Sequence, residues 1–107
     1  METYNKLVRD RIPEIIERDG KRAKTRVLND EDYKSELLRK LVEEAQEALE
    51  TKGDKEELAK EIGDIVEIID YLIKVFELDQ KEVEKIRLER KKSRGGFDKK
   101  LFLEYVE

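Results

Sequence analysis

The hydrophobic pattern is helical over two long stretches in the middle of the chain. After Asn29, whose side chain suits a helix N-cap, apolar residues recur with a period near 3.6 and predict a first long helix over residues 30–51. Gly53 interrupts the pattern, and the most apolar part of the sequence then predicts a second long helix over residues 55–77. The short break between them predicts an antiparallel pair joined by a tight turn.

Two shorter helices are predicted outside this pair. A proline at its start and a glycine after its end predict a helix near residues 13–18. Residues 21–28 are predicted as a linker or a short extended piece. Asp79 has the position of an N-cap and opens a helix that ends before Gly95, and the apolar tail that follows is expected to pack on the helices or on a second subunit.

These elements predict an all-α fold. We expect a single domain over residues 1–107, built as an antiparallel helical bundle. A chain of 107 residues buries only a modest core, and residues 65–76 are nearly all apolar. The bundle is therefore expected to be completed by oligomerisation, as a homodimer or a homotetramer.

Acidic residues interrupt the apolar side of the second long helix. At 100° per residue, its broad apolar stripe is formed by Leu58, Ile65, Ile68, Ile69, Leu72, Val75 and Phe76. Glu61 lies within this stripe and Asp64 lies at its edge. Glu67 and Asp70 point to the opposite side, where solvent-facing charges of an amphipathic helix belong.

The first long helix repeats this arrangement. Its stripe is predicted to consist of Leu37, Leu41, Ala45 and Ala48. Glu44 lies within the stripe, Glu47 borders it, and Glu43 is predicted to face outward. An ionised carboxylate inside an apolar stripe costs free energy unless a cation or hydrogen-bond donors compensate it.

The acids form two pairs that the tight turn brings together. Glu44 and Glu47 are spaced i, i+3, as are Glu61 and Asp64, so each pair lies on one face of its helix. A cluster of oxygen ligands suits Mg²⁺ or Mn²⁺. The alternative is that the four acids form ordinary ion pairs, with Lys40 the closest partner for the first pair.

Composition narrows the remaining chemistry. The sequence contains no Cys and no His, which excludes disulfides, thiolate nucleophiles, imidazole bases and zinc sites built on these residues. Its net charge of −4 gives no general attraction for nucleic acid. No stretch has the length and apolar character of a signal core or a membrane span, so a cytoplasmic location is expected.

Four segments resemble the MazG-like nucleotide pyrophosphohydrolases. Glu43-Glu44-Ala45-Gln46-Glu47 and then Glu61-Ile62-Gly63-Asp64 resemble the family signature E-E-x-x-E followed by E-x-x-D. The opening YNKLVRDRIPEIIE and the closing KKSRGGFDKKLFLEYV resemble the end segments of a compact branch described as phosphoribosyl-ATP pyrophosphohydrolase-like. The resemblance covers essentially the whole chain.

The resemblance implies a Mg²⁺-dependent enzyme that cleaves nucleoside triphosphates between the α and β phosphates. The products are a nucleoside monophosphate and pyrophosphate, and such a reaction would serve in clearing the nucleotide pool. Taken with the helix faces, it assigns Glu44, Glu47, Glu61 and Asp64 as metal ligands and gives Glu43 a supporting role. A Glu is the expected base, because the chain has no His, and the sequence leaves open which Glu it is.

Substrate contacts are expected from basic residues in three places. The candidates for phosphate binding are Lys6, Arg9, Arg11, Lys40, Lys91, Lys92 and Arg94. Their alternative role is to balance the acidic helices and keep the ends soluble. Tyr4, Tyr71 and Phe97 are each either core residues or able to stack on a base.

Two other functions remain open at this point. One is the phosphoribosyl-ATP pyrophosphohydrolase of histidine synthesis, which cleaves the same kind of bond on a related helical scaffold. The other is a non-catalytic helical oligomerisation module, in which the acids form ion pairs between subunits. Turnover of phosphoribosyl-ATP would identify the first, and failure to bind a divalent metal would favour the second.

Overall fold

The fold is all-helical. The computed structural model describes residues 2–107, in which four helices and no strand are present. The helices are α1 (Ile12–Arg18), α2 (Asp30–Glu50), α3 (Lys55–Val75) and α4 (Gln80–Arg94). The chain divides into two compact units, one that ends at Phe76 and one that spans Glu77–Glu107. None of the helices in this described part combines the length and apolar character needed to cross a membrane.

Side-chain caps set the starts of the long helices. The Asn29 side chain accepts a hydrogen bond from the backbone N–H of Asp32 at 2.8 Å, which confirms the predicted start of α2. Asp54 caps α3 in the same way through the N–H of Glu57 at 3.1 Å. The end of α3 comes two residues earlier than predicted, because Glu77 adopts a left-handed backbone with φ 53°.

The first unit is built on a hairpin of α2 and α3. The two helices pack against each other, and Gly53 lies in the turn between them with φ 85°, a conformation that glycine adopts without steric cost. Leu37 from α2 and Ile68 from α3 are the buried apolar residues of the described chain. This packing confirms a bundle-like pairing of helices and brings the two acidic pairs to the same region.

The inward face of α2 differs from the predicted stripe at one position. Ala45 was predicted to lie within the stripe and is exposed, while the side chains that turn inward are Leu37, Leu41, Glu44 and Ala48. These four follow the spacing i, i+4, i+7 and i+11, which selects a row one residue removed from Ala45. Glu44 therefore takes a core position.

A second row of apolar side chains on the hairpin is exposed. It comprises Leu38, Val42, Leu49, Ile62, Val66 and Ile69, which leave between 40% and 71% of their surface accessible. Their spacing is four and seven residues on α2 and four and three residues on α3, so on each helix they share one face and are not isolated surface residues. A stripe of this length is typical of a helix face that packs against another element.

The second unit consists of α4 and the tail. Gly95 ends α4 with φ 86°, and its N–H donates to the carbonyl of Lys91 at 2.8 Å. The tail carries Phe97, Leu101, Phe102, Leu103, Tyr105 and Val106, each 71–98% exposed. The sequence predicted that the tail packs either on the helices or on a second subunit, and packing on a second subunit stays a prediction.

Candidate metal centre

Carboxylates from both helices of the hairpin meet around Glu44. Oxygen atoms of Glu44, Glu61 and Asp64 lie within 4.8 Å of one another, and so do those of Glu43, Glu44 and Glu47. Glu44 belongs to both groups and is their common member. The structure therefore places all five predicted acids in one cluster at the α2–α3 interface.

Among residues 2–107, Glu44 is the charged residue that is buried. The residue is only 6% exposed, and its Oε1 lies 3.5 Å from the Nζ of Lys40. With the acids ionised, its Oε2 is fully buried and meets no hydrogen-bond donor, and the same is true of the Oε2 of Glu61. Buried polar atoms are almost always satisfied in folded proteins, so two carboxylate oxygens without donors in one cluster point to a ligand that completes them.

The acids perturb one another's ionisation. A hydrogen bond to Glu44 raises the pKa of Glu61 to about 7, and burial and the charges of Glu47 and Glu44 add to the effect. Burial also raises the pKa of Glu47, with a further contribution from its hydrogen bond to Glu44. A protonated Glu61 can therefore donate an O–H hydrogen bond to a neighbouring carboxylate, which an ionised Glu61 cannot do.

The pKa of Glu44 is shifted in the opposite direction. Burial raises its pKa, but hydrogen bonds from Glu61 and Glu47 and the charge of Lys40 outweigh burial and lower the pKa overall. The cluster therefore favours an ionised Glu44 beside a protonated Glu61 as the pH falls below about 7. A divalent cation can replace that proton, because it compensates the same negative charge.

Glu43 lies closer to the cluster than predicted. The prediction that it faces outward was wrong, because its side chain is only 31% exposed and its carboxylate belongs to the group around Glu44. Its Oε1 lies 3.3 Å from the Nζ of both Lys6 and Lys40. These two ammonium groups compensate the negative charge of Glu43. From the helical periodicity of α2 alone, this carboxylate was expected to face solvent.

Arg9 bridges the N-terminal arm and α3. Its guanidinium donates to the Oδ1 of Asp64 at 2.8 Å and lies 3.6 Å from the Oε2 of Glu67. Arg9 was proposed from the sequence as a phosphate contact, and here its partners are carboxylates. The involvement of Glu67 was missed, since nothing in the sequence connects two positions separated by more than fifty residues.

The other predicted phosphate contacts are dispersed. Arg11 is paired with Glu14 at 3.4 Å within its own segment. Lys91, Lys92 and Arg94 lie in the last turn of α4, in the second unit. Of the seven predicted contacts, the structure brings Lys6, Arg9 and Lys40 to the acidic cluster.

The three candidate aromatic residues are all exposed in the single chain. Tyr4, Tyr71 and Phe97 are 65%, 40% and 98% accessible, so the alternative that they are core residues is wrong for the chain described. Tyr71 borders a shallow hollow with Asp70 and Lys74. The ammonium group of Lys6 lies 5.7 Å from the centroid of the Tyr4 ring, and that of Lys74 lies 5.9 Å from the centroid of the Tyr71 ring.

The residues of the cluster fit a hard divalent cation. Every candidate ligand atom is a carboxylate oxygen. Three of these carboxylates converge from two helices, and one of their oxygens is buried without a hydrogen-bond donor. Mg²⁺ and Mn²⁺ prefer such ligands, whereas zinc sites are usually built with Cys or His.

Comparison of the chain with family models, with curated proteins and with solved structures gave no match. The MazG-like resemblance therefore rests on the sequence segments alone.

Proposed function

We propose that this protein is a Mg²⁺-dependent nucleoside triphosphate pyrophosphohydrolase of the MazG-like kind, which releases a nucleoside monophosphate and pyrophosphate. The observation that carries the proposal is the buried Glu44, whose Oε2 has no partner and which belongs to two groups of converging carboxylates. A surface ion-pair network needs neither a buried carboxylate nor an unsatisfied oxygen. This favours a metal site over the purely structural role.

Glu44, Glu61 and Asp64 would hold the metal, with Glu47 as the fourth ligand and Glu43 supporting Glu44 from the same helix. Bound there, Mg²⁺ supplies charge neutralisation for phosphate oxygens and activation of a water molecule. The chain itself adds two carboxylates with raised pKa, Glu61 and Glu47, either of which can accept the proton of that water molecule.

Positive charge beside the cluster suits a triphosphate. Lys6, Arg9 and Lys40 lie against the acids in the structure and compensate them. A cation that occupies the carboxylates would compete with these ion pairs and leave ammonium and guanidinium groups available for phosphate oxygens. The same side chains thus serve both the metal-free protein and the substrate complex in this proposal.

The proposed enzyme is a homo-oligomer. The exposed stripe around Val42 and Val66 runs along the same hairpin that carries the acids. Covering this stripe with a second copy would stabilise the hairpin and hold the carboxylates in place. The corresponding biological role is removal of nucleoside triphosphates from the nucleotide pool.

The reaction can be tested with a panel of nucleoside triphosphates and Mg²⁺ or Mn²⁺, with both products measured. We expect monophosphate and pyrophosphate in equal amounts, and no turnover in EDTA. Glu44→Gln should lower kcat/KM at least about a hundredfold. Removing a residue that hydrogen-bonds to a metal ligand typically costs about ten- to hundredfold, and loss of the ligand itself should cost more. Asp70→Asn, an exposed acid on α3 outside the cluster, is the matched control and should retain activity.

Two outcomes would contradict the proposal. Release of inorganic phosphate and a nucleoside diphosphate would show cleavage of a different bond. Absence of hydrolysis for every triphosphate, with no binding of Mn²⁺, would favour the non-catalytic module. Inclusion of phosphoribosyl-ATP in the panel distinguishes the histidine-synthesis reaction, since that enzyme would turn it over in preference to the ordinary triphosphates.

A further inference from the structure

The C-terminal half of α4 concentrates positive charge on one face. Four basic residues with the spacing i, i+3, i+4 and i+7 share a sector of about 100° on this helix: Arg87, Arg90, Lys91 and Arg94. With the loop that follows, they line a hollow of about 610 Å³. The loop contributes Gly95, Gly96, Phe97 and Asp98. Lys92 lies between these positions in sequence but not among the lining residues.

Three of the four cations have open hydrogen-bond donors. Arg87 is paired with Glu84. Within residues 2–107, no carboxylate lies within ion-pair distance of Arg90, Lys91 or Arg94. Basic side chains in a last helical turn interact favourably with the helix dipole, but that role requires no shared hollow. Guanidinium and ammonium groups around one hollow are the arrangement that binds phosphate oxygens.

An exposed aromatic ring completes the hollow. Phe97 is 98% accessible and comes only three residues after Arg94, because the left-handed Gly95 terminates α4. A phenylalanine that is almost wholly in water is unfavourable by itself, and the ring offers a full face to a planar partner. Bases of every kind stack on such rings, while cations beside them hold the phosphates.

We propose that this hollow binds a nucleotide, with Arg90, Lys91 and Arg94 on its phosphate groups and Phe97 stacked on its base. The single carboxylate in the lining, Asp98, is outnumbered by these cations and can accept a hydrogen bond from a base or a sugar. The choice of a triphosphate as the preferred nucleotide rests on the proposed function. The binding site itself contains none of the carboxylates of the metal centre.

Calorimetric titration of the full chain in EDTA tests this proposal without hydrolysis. The two probes are ATP, which offers phosphates and a base, and inorganic tripolyphosphate, which offers phosphates alone. Arg90→Ala combined with Arg94→Ala should weaken the binding of both probes at least about tenfold. Phe97→Ala should weaken ATP about tenfold and leave tripolyphosphate within about twofold, since only ATP stacks on the ring.

Lys85→Ala is the control, because it removes one positive charge from the same helix outside the hollow. It should change neither affinity by more than about twofold. A loss in Lys85→Ala as large as the loss in the hollow variants would show that only the overall charge matters and would overturn the site. Equal loss of both probes in Phe97→Ala, or unchanged ATP binding, would overturn the stacking.

The test separates this inference from the proposed activity. Asp64→Asn should lose hydrolysis and keep ATP binding in EDTA, because Asp64 is not part of the hollow. ATP that binds in EDTA and is never hydrolysed with Mg²⁺ would refute the activity and leave the hollow. Hydrolysis with no ATP binding that depends on Arg90 and Arg94 would refute the hollow and leave the activity.

Discussion

At the scale of single residues, the cluster is defined by charge that is buried without full compensation. Lys40 lies 3.5 Å from one oxygen of Glu44, and the other oxygen has no donor. Such an atom loses its hydration and gains nothing in return, which costs about 1–3 kcal/mol for a neutral group and more for a charge. A shared proton on Glu61 reduces that cost in the metal-free protein, and a divalent cation can remove it altogether.

Glu61 makes the metal-free protein sensitive to pH. Its pKa in the folded chain, about 7, exceeds its ordinary value of 4.5, so the native state holds this proton more tightly than the unfolded state. The resulting stabilisation is fully present below pH 4.5 and is lost as pH rises through 7. We expect Glu61→Gln to remove this fall, so that its Tm in EDTA exceeds that of the wild type at pH 8 but not at pH 5. Identical pH profiles for the two proteins would contradict the shared proton.

Arg9 is expected to compete with the metal for Asp64. Its ion pairs with Asp64 and Glu67 are partly exposed, and pairs of this kind contribute at most about 1 kcal/mol. Arg9→Gln should therefore strengthen Mn²⁺ binding by up to about fivefold, measured by calorimetry in the absence of nucleotide. Arg11→Gln is the control, since Arg11 pairs with Glu14 instead. Weaker Mn²⁺ binding in Arg9→Gln would show that Arg9 organises the site.

At the scale of elements, the α2–α3 hairpin was predictable because its signals are local. Asn29 and Asp54 cap the helices, Gly53 makes the turn, and the apolar period runs through both helices. The rotation of α2 about its axis was less predictable, because packing against α3 decides whether Ala45 or Glu44 turns inward. The position of Arg9 was not predictable, since its partners are more than fifty residues away.

The inward position of Glu43 has a similar origin. A helical wheel places the residue outward, but the wheel contains no information on Lys6, which belongs to the N-terminal arm. The basic face of α4 is the converse case. Its i, i+3, i+4, i+7 spacing is present in the sequence, but Arg90 lay outside the predicted contacts, because those rested on the resemblance of the closing segment, which begins at Lys91.

Alanine substitutions of two glycines in the hairpin are expected to change its stability in opposite directions. Gly53 has φ 85° and Gly63 lies inside α3, and a Cβ at either position would meet no atom within 4 Å. Gly53→Ala should destabilise the chain by about 1 kcal/mol, because alanine is strained in the left-handed region. Gly63→Ala should stabilise it by about 0.5–1 kcal/mol, because it removes a flexible residue from a helix interior. Urea unfolding in EDTA measures both changes.

Equal signs for these two substitutions would contradict the backbone conformations described. Gly63 also lies between Glu61 and Asp64 in sequence, so its variant gives a second readout. Retention of Mn²⁺ binding in Gly63→Ala is expected, because the added methyl group contacts none of the carboxylates in the chain. Loss of Mn²⁺ binding in a Gly63→Ala variant of the expected stability would contradict this placement of the glycine.

At the scale of the whole molecule, few apolar side chains are buried within one chain. Among the described residues, only Leu37 and Ile68 are buried apolar side chains. In the proposed oligomer, helices of a second copy would pack on the exposed stripe of the hairpin and add to this burial.

The association is expected to break when charge enters this stripe. Val42 on α2 is 69% exposed and Val66 on α3 is 52% exposed, so a glutamate at both positions is tolerated by a free hairpin but not by an apolar interface. Sedimentation should show a dimer or tetramer for the wild type at micromolar concentration and a monomer, with a lower Tm, for Val42→Glu combined with Val66→Glu. Arg39→Glu, on another face of α2, should leave the assembly intact. A monomeric wild type whose Tm is independent of concentration would contradict this prediction, because it would show that one chain is stable with its apolar stripe in water.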